Sequence, residues 1–362
     1  LNLLALDGTP AARSISRAAA DDMRVGNLQP ADFPRWDAFV AACPDATFFH
    51  RAGWKTVIDR AFGHSTHFLY AETAGRIEGV LPLAEVKSRL FGHTLVALPF
   101  CVYGGIAARA DRARQVLDEA ARTLAENLGV DHLEYRNRTP QHADWIHKDL
   151  YVTFRKEIDA DVERNLLAIP RKQRAMVRKG IKAELKTEID DGVERFFAAY
   201  SASVHRLGTP VFARRYFKIL KAVFGGDCEV LTVTQKGRLV ASVLSFYFRD
   251  EVLPYYGGGV ASARDVAGND FMYWDLMRRA CERGIRVFDF GRSKRGTGSF
   301  DFKKNWGFEP QPLSYEYLLV KGKRVAEHNP LNPKYRMFIK MWQRLPLPLA
   351  NLIGPHIVKS LG

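Results

Sequence analysis

The 362-residue sequence is poor in cysteine, and its four thiols (Cys43, Cys101, Cys228, Cys281) lie far apart with no CxxC pair. That spacing excludes a zinc cage and a disulfide framework, and reads as reduced core thiols of a cytoplasmic protein. Long hydrophobic runs are missing too. The longest apolar stretch, Thr94 to Ala108, is interrupted by Pro99, Gly104 and Gly105, too short and too broken to span a bilayer. The six mostly apolar residues at the start run into Asp7, Gly8 and Pro10 with no positive charge before them, so no secretory signal is read there. Residues 1–23 read as a flexible leader. Absent as well are Gly-x-Gly-x-x-Gly, a P-loop, Gly-x-Ser-x-Gly and HExxH. Dinucleotide folds, serine hydrolases and zincins lose their signatures accordingly, and no metal is expected.

Acid is scarce in the second half. Lys and Arg number 54 against 40 Asp and Glu, a formal charge of +14. Residues 1–150 carry a net charge of −1 and 151–362 carry +15, so the second half calls for an anionic partner. Two segments hold no acid at all. Residues 164–182 contain Arg164, Arg171, Lys172, Arg174, Arg178, Lys179 and Lys182; after Pro170, the 3/4/4 spacing of Arg171, Arg174, Arg178 and Lys182 puts four cations on one helix face. This face is either a solvated surface or a phosphate clamp, since guanidinium forks grip phosphate oxygens in pairs. From Pro330 onward Lys334, Arg336, Lys340, Arg344 and Lys359 mix with Met337, Phe338, Ile339, Met341, Trp342, Leu352 and Ile353. That amphipathic tail over 329–362 either packs back on the protein or lies on an anionic membrane surface.

An order of elements repeats. Strand 75–83, Tyr103-Gly-Gly105, a helix over 112–127 and strand 129–136 are echoed by strand 236–248, Tyr255-Tyr-Gly-Gly-Gly259, a helix over 270–283 and strand 284–290. The matching spacings, 32 residues from Tyr103 to Tyr135 and 34 from Tyr256 to Phe290, argue for a duplicated α/β domain with antiparallel hairpins beside a strand–helix–strand unit, hence two mixed sheets flanked by helices. The division expected is a first domain over 24–150 and a second over 151–328. Acyltransferase domains of the GNAT type are built this way, with donor phosphates at the helix N-terminus.

The most informative stretch is 288–308, where Asp289 ends a hydrophobic strand. A glycine-rich loop follows with Arg292, Lys294 and Arg295, and then an aromatic-flanked Lys303-Lys304 pair. Phe-Asp-Phe-Gly291 followed by Phe302-Lys-Lys-Asn-Trp-Gly-Phe308, after Tyr255-Tyr-Gly-Gly258, resembles the FemAB family of tandem GNAT-fold transferases. With Leu207-Gly-Thr-Pro-Val211, Asp270-Phe-Met-Tyr-Trp274 and Gly291-Arg-Ser-Lys294, the likeness over 24–330 is to the exosortase/PEP-CTERM-associated branch of Gram-negative bacteria.

The resemblance implies transfer of an acyl or aminoacyl group, from acyl-CoA or aminoacyl-tRNA, to an amine of a cell-envelope or exopolysaccharide-related precursor. It puts Lys303 beside the reacting carbonyl, with Lys304 as the alternative. The charge, thiols and tail read above add an anionic, phosphorylated or lipid-linked substrate and a cytoplasmic protein, whose tail either packs on the domain or makes a peripheral contact with the inner membrane. Catalytic candidates beside Lys303 are Asp289 and His205. Arg171, Arg174, Arg178, Arg292, Lys294, Lys304, Tyr255 and Tyr256 are the candidates for substrate and phosphate contacts. Two other classes stay open: a GNAT-fold binding protein without chemistry, and a basic RNA-binding protein.

Overall fold

The computed structural model describes residues 23–88, 92–325 and 333–360. All but the last residue of the expected leader, and the start of the tail at 329–332, lie outside the described residues. Two mixed sheets dominate. The first, of eight strands, runs in the order Arg24–Asn27, Ser65–Thr73, Arg76–Ser88, Gly92–Ala97, His132–Asn137, Ser314–Leu319 and Ile146–Lys148, with Ala107–Ala108 paired on Arg76–Ser88. The second runs Lys186–Asp190, Cys228–Gln235, Arg238–Phe248, Glu251–Gly259, Val287–Asp289 and Arg155–Glu157. A small third sheet joins Ser293–Lys294, Tyr151–Thr153 and Gln311–Pro312.

The duplication is real. In each half three antiparallel strands lead into a helix and then a strand parallel to the third: Thr94 to Val96 pairs with His132 to Glu134, and Glu251 and Val252 pair with Val287 and Phe288. The helix Asp111–Leu128 buries Ala113, Leu117, Ala121 and Ala125, a four-residue spacing of small side chains that lets it lie close to its sheet. It ends at Gly129, whose φ of +62° is the left-handed cap conformation.

The two glycine stretches of the repeat are, however, not counterparts. The counterpart of Glu251–Gly259 is Gly92–Ala97, and Tyr103-Gly104-Gly105 lies in the loop beyond it. Gly257 to Gly259 are strand residues, not a loop. A Cβ at Gly258 would lie 2.6 Å from Ser203 Cβ and 3.0 Å from Tyr200 Cα, so glycine there admits the helix Glu194–Arg206 against the sheet.

The halves are also laced together. Ser314–Leu319, late in the chain, pairs antiparallel with His132–Asn137 in the first sheet, while Arg155–Glu157 pairs with Val287–Asp289 in the second. The first sheet thus draws on chain from both sides of a cut between 150 and 151 through Ser314–Leu319, whereas both strands of the Arg155–Glu157 pair follow that cut. One aromatic core spans the junction: Phe48 stacks on Phe246 at 4.3 Å between centroids and tilts against Phe224 at 4.7 Å, with Trp54 5.3 Å from Phe224. Fully burying each such ring contributes roughly 1.5–3 kcal/mol, so the relative position of the halves is fixed by packing. All four cysteines are buried and unpaired. Among the described residues no helix is long and apolar enough to cross a membrane.

Candidate active-site groove

Strands Glu251–Gly259 and Val287–Asp289 pair at only two positions and then part, opening a wedge in the second sheet. A register shift between Leu244 and Ser245 leaves Tyr255 as an extra residue on the Glu251–Gly259 strand at that level. The wedge opens into a groove of about 1630 Å³ lined by both halves.

The chain leaving Asp289 turns at Gly291 (φ +67°), presents Arg292 and Lys294 to the groove, and returns as the helix Gly298–Asn305. That helix brings Lys303 back over the turn. Its ammonium donates to the carbonyl oxygens of Gly291 and Arg292, both at 3.0 Å, beside the Phe154 ring at 5.6 Å. Burial drives its pKa down to about 7, with the nearby Asp289 carboxylate working in the opposite direction. Two of the three ammonium protons are thus held by backbone, and the side chain lines the groove. Lys304, one residue on, is exposed and does not line it. Helical geometry turns consecutive side chains about 100° apart, so only Lys303 of the two faces the groove.

Arg292 lies flat over Tyr151 at 4.6 Å and Tyr315 at 5.6 Å, donating to the Tyr315 hydroxyl at 2.9 Å. Among the described residues it has no carboxylate partner within ion-pair distance, which leaves a stacked guanidinium open to an anion. Lys294 stands 5.5 Å from the Tyr151 ring, and burial lowers its pKa.

Asp289 stands behind this arrangement and not in the groove. It is fully buried, accepts the Gly291 N–H at 2.7 Å and the Tyr103 hydroxyl at 2.8 Å, and lies 3.2 Å from Arg155 Nε. Its place is that of a loop anchor. His205, on the helix Glu194–Arg206, is half-buried with Nε2 unpartnered, and it does not line the groove. Tyr255 and Tyr256 do line it, yet each is also tied into the core: Tyr255 donates to the Phe100 carbonyl at 3.0 Å, and the Tyr256 and Tyr216 hydroxyls meet at 2.8 Å.

The basic helix forms over Arg171–Lys182, but Arg171, Arg174 and Arg178 lie outside the groove lining. Val177 and Gly180 are its buried positions, and a Cβ at Gly180 would come 2.6 Å from Phe271 Cβ. Gln173 donates to the Asp270 carboxylate, which also accepts the Trp306 indole N–H at 3.2 Å. With that face committed to the helix Gly268–Glu282, the cations turn outward. Arg174 donates to the Leu167 carbonyl at 2.6 Å, while Arg171 and Arg178 are exposed.

The sequence reading missed the first half's contribution. His132, Glu134 and Arg136 share one face of a strand and line the groove, as do Tyr151 and Tyr315. Arg136 is buried, bonded to Glu134 at 2.7 Å and to the Cys101 carbonyl at 2.9 Å, with its guanidinium 5.6 Å from the Tyr315 ring. The alternation of charged residues in an otherwise apolar strand was the available signal.

Residues 168–304 match the profile of the family described as "Acetyltransferase (GNAT) domain". The whole chain resembles the crystal structure of FemX with a TM-score of 0.66 and 16% identity, over 87% of this chain and all of that one. L-PGS from Bacillus licheniformis superposes with a TM-score of 0.52 and 11% identity, over 88% of this chain and 98% of that one. A tandem GNAT protein from the clavulanic acid biosynthesis pathway gives 0.52 and 13%, over 84% and 100%. No curated protein matches the sequence. The protein thus has a tandem GNAT-like fold, and the segment that matches the GNAT acetyltransferase profile, 168–304, includes Lys303 in the groove.

Proposed function

We propose that the protein transfers an acyl or aminoacyl group to an amine of a cell-envelope or exopolysaccharide-related precursor. The observation that carries this reading is Lys303, a half-buried ammonium held by two backbone carbonyls in the groove. In the reaction the acceptor amine attacks the donor carbonyl carbon, and a C–N bond forms while the carbonyl π electrons move to oxygen. The Lys303 ammonium stabilises that oxyanion. Collapse then breaks the bond to the leaving thiolate or alkoxide, which takes up the proton lost by the amine. No nucleophilic side chain is required, so transfer is direct. Trapping an acyl-enzyme by mass spectrometry would overturn that step.

For the donor, the match to a GNAT acetyltransferase profile supports acyl-CoA, and Arg292 and Lys294 offer charge for its phosphates. Aminoacyl-tRNA is the second reading. What favours it is the exposed row of Arg171, Lys172, Arg178, Lys179 and Lys182, without a carboxylate partner among the described residues. The likeness of 207–211, 270–274 and 291–294 to the exosortase-associated branch supports an acceptor from the envelope or exopolysaccharide. A thermal-shift screen of CoA thioesters, charged tRNA and nucleotide sugars selects the donor. With that donor, Lys303→Ala is expected to abolish transfer and leave donor affinity within a few-fold. Retained turnover in Lys303→Ala would remove the lysine from the mechanism. Donor binding that falls steeply with salt and is insensitive to CoA would select RNA.

A further inference from the structure

Two helices, Pro333–Arg344 and Leu347–Val358, close the described chain. Their inner faces are held against 201–211. Ile339 Cγ2 would lie 2.4 Å from a Cβ at Gly208, and the Val211 N–H would lie 2.9 Å from a Cβ at Gly354. Gln343 donates to the Arg206 carbonyl at 2.7 Å, and Trp342 is buried. The helices therefore pack on the protein, and their outer faces are what they present.

Those outer faces are apolar and basic at once. On the first helix the exposed residues Met337, Lys340, Met341 and Arg344 follow 3/1/3 spacing, a single stripe. On the second, Leu349, Leu352 and Ile353 continue the pattern, with Lys359 beyond them, while His356 at the next position also lines the groove. Eleven large apolar side chains are left exposed among the described residues, and six of them gather here: Leu207, Met337, Met341, Leu349, Leu352 and Ile353. Leu352 is 68% exposed. Residues 330–362 contain no Asp or Glu. A monomer does not ordinarily leave such a cluster to water. A protein partner with an acidic surface would match the cations but not the apolar stripes between them. Hydrocarbon beneath a layer of anionic headgroups matches both.

We infer that this helix pair is a docking face for an anionic phospholipid bilayer, entered by the Met and Leu/Ile stripes with the cations at headgroup level. The same two helices contribute Phe338, Ile339, Ile357 and Val358 to the groove wall. Docking would therefore set that end of the groove beside the lipid surface. This inference concerns where the protein works and stands whether or not the transferase reading does.

The test is co-sedimentation of the full chain with phosphatidylcholine vesicles, with and without about a third phosphatidylglycerol. The expected result is binding to the anionic vesicles, weakened by salt, and at least about tenfold weaker binding to neutral ones. Leu352→Glu with Ile353→Glu, both at exposed positions, should cut anionic binding by about tenfold or more. Lys340→Glu with Arg344→Glu should remove the preference for phosphatidylglycerol. Circular dichroism and melting temperature establish that each variant is folded. Lys303→Ala should bind vesicles as the parent does, so failure of the transferase reading and failure of this one are separately visible. The inference is overturned if the parent stays in the supernatant with both vesicle types, or if the folded double variants pellet unchanged. It is equally overturned if sedimentation velocity shows these substitutions abolishing a self-association that occurs without any vesicle binding.

Discussion

Tyr103 of the first half donates its phenolic proton to the Asp289 carboxylate of the second at 2.8 Å, in a site from which water is excluded. Thr153 joins them, 2.6 Å from the Tyr103 hydroxyl and 3.3 Å from Asp289. Burial pushes the Asp289 pKa up, and Arg155, Tyr103 and the Gly291 N–H pull against that. The carboxylate therefore holds the start of the loop whose carbonyls accept from Lys303. Asp289→Ala should cost about 3 kcal/mol or more in urea denaturation, because it strands buried donors around it. Tyr103→Phe should cost about 1–2 kcal/mol. Asp289→Asn keeps the shape and should fall between them. If denaturation midpoints are unchanged while turnover is lost, Asp289 belongs to the chemistry and not to its support.

Lys303 sets stability against function. Burial of an ammonium with no bonded carboxylate among the described residues disfavours the folded state, so Lys303→Met should raise the melting temperature while abolishing transfer. The sign with pH follows from the folded pKa near 7 against an unfolded value near 10.5. Below about pH 7 the penalty is complete; it shrinks as pH rises and is gone above the unfolded value. The gain from Lys303→Met should therefore be largest below pH 7. A gain independent of pH would point to packing instead.

The same titration should appear in catalysis. If the charged form stabilises the oxyanion, kcat/KM falls as pH rises through about 7. Lys303→Arg, whose guanidinium does not titrate in this range, should retain reduced activity without that limb. A limb that persists in Lys303→Arg must belong to another group.

Arg292 should govern affinity more than turnover. Its guanidinium lies 4.6 Å from the Tyr151 ring and 5.6 Å from the Tyr315 ring, without a carboxylate partner among the described residues, so Arg292→Lys loses the cation–π contacts of the planar group and the paired donors but keeps the charge. KM for an anionic donor should rise about tenfold, and Arg292→Gln should raise it further, with kcat changed less. Equal losses in kcat and kcat/KM would place Arg292 at the reacting atoms.

His142 fastens the strand Ser314–Leu319 to the first half. Its ring lies 2.8 Å from Glu316 and 3.3 Å from Asp118, stacked 4.1 Å from Trp145. Burial opposes its charge, but the two carboxylates prevail and hold it at about 9. Because this is above the unfolded value of about 6.5, the contribution is complete below that pH, declines as pH rises and is lost above about 9. After solvent screening it is on the order of 2 kcal/mol. His142→Gln should flatten the alkaline fall in stability measured between pH 6 and 9.5. An unchanged slope would locate the fall elsewhere.

Local information determined much. Strand and helix patterns, turn glycines and the repeat of hairpin, helix and strand are short-range properties, and they sufficed for two mixed sheets flanked by helices. The acid-free segments 164–182 and 330–362 and the lysine pair at 303–304 are equally visible in one dimension. Only the tertiary structure decided which of these meet. Pairing of Ser314–Leu319 with His132–Asn137 joins residues far apart in the chain, and it brings Tyr315 between Arg136 and Arg292. A basic helix looks the same whichever face it buries. Gly180 against Phe271 turned the Arg171–Lys182 cations away from the groove, and Met337 and Leu352 were left outside because Trp342 and Gly354 were taken inside. Charge and periodicity are written along the chain; the choice of face is made by packing, where close contact between distant segments settles which side chains stay in water.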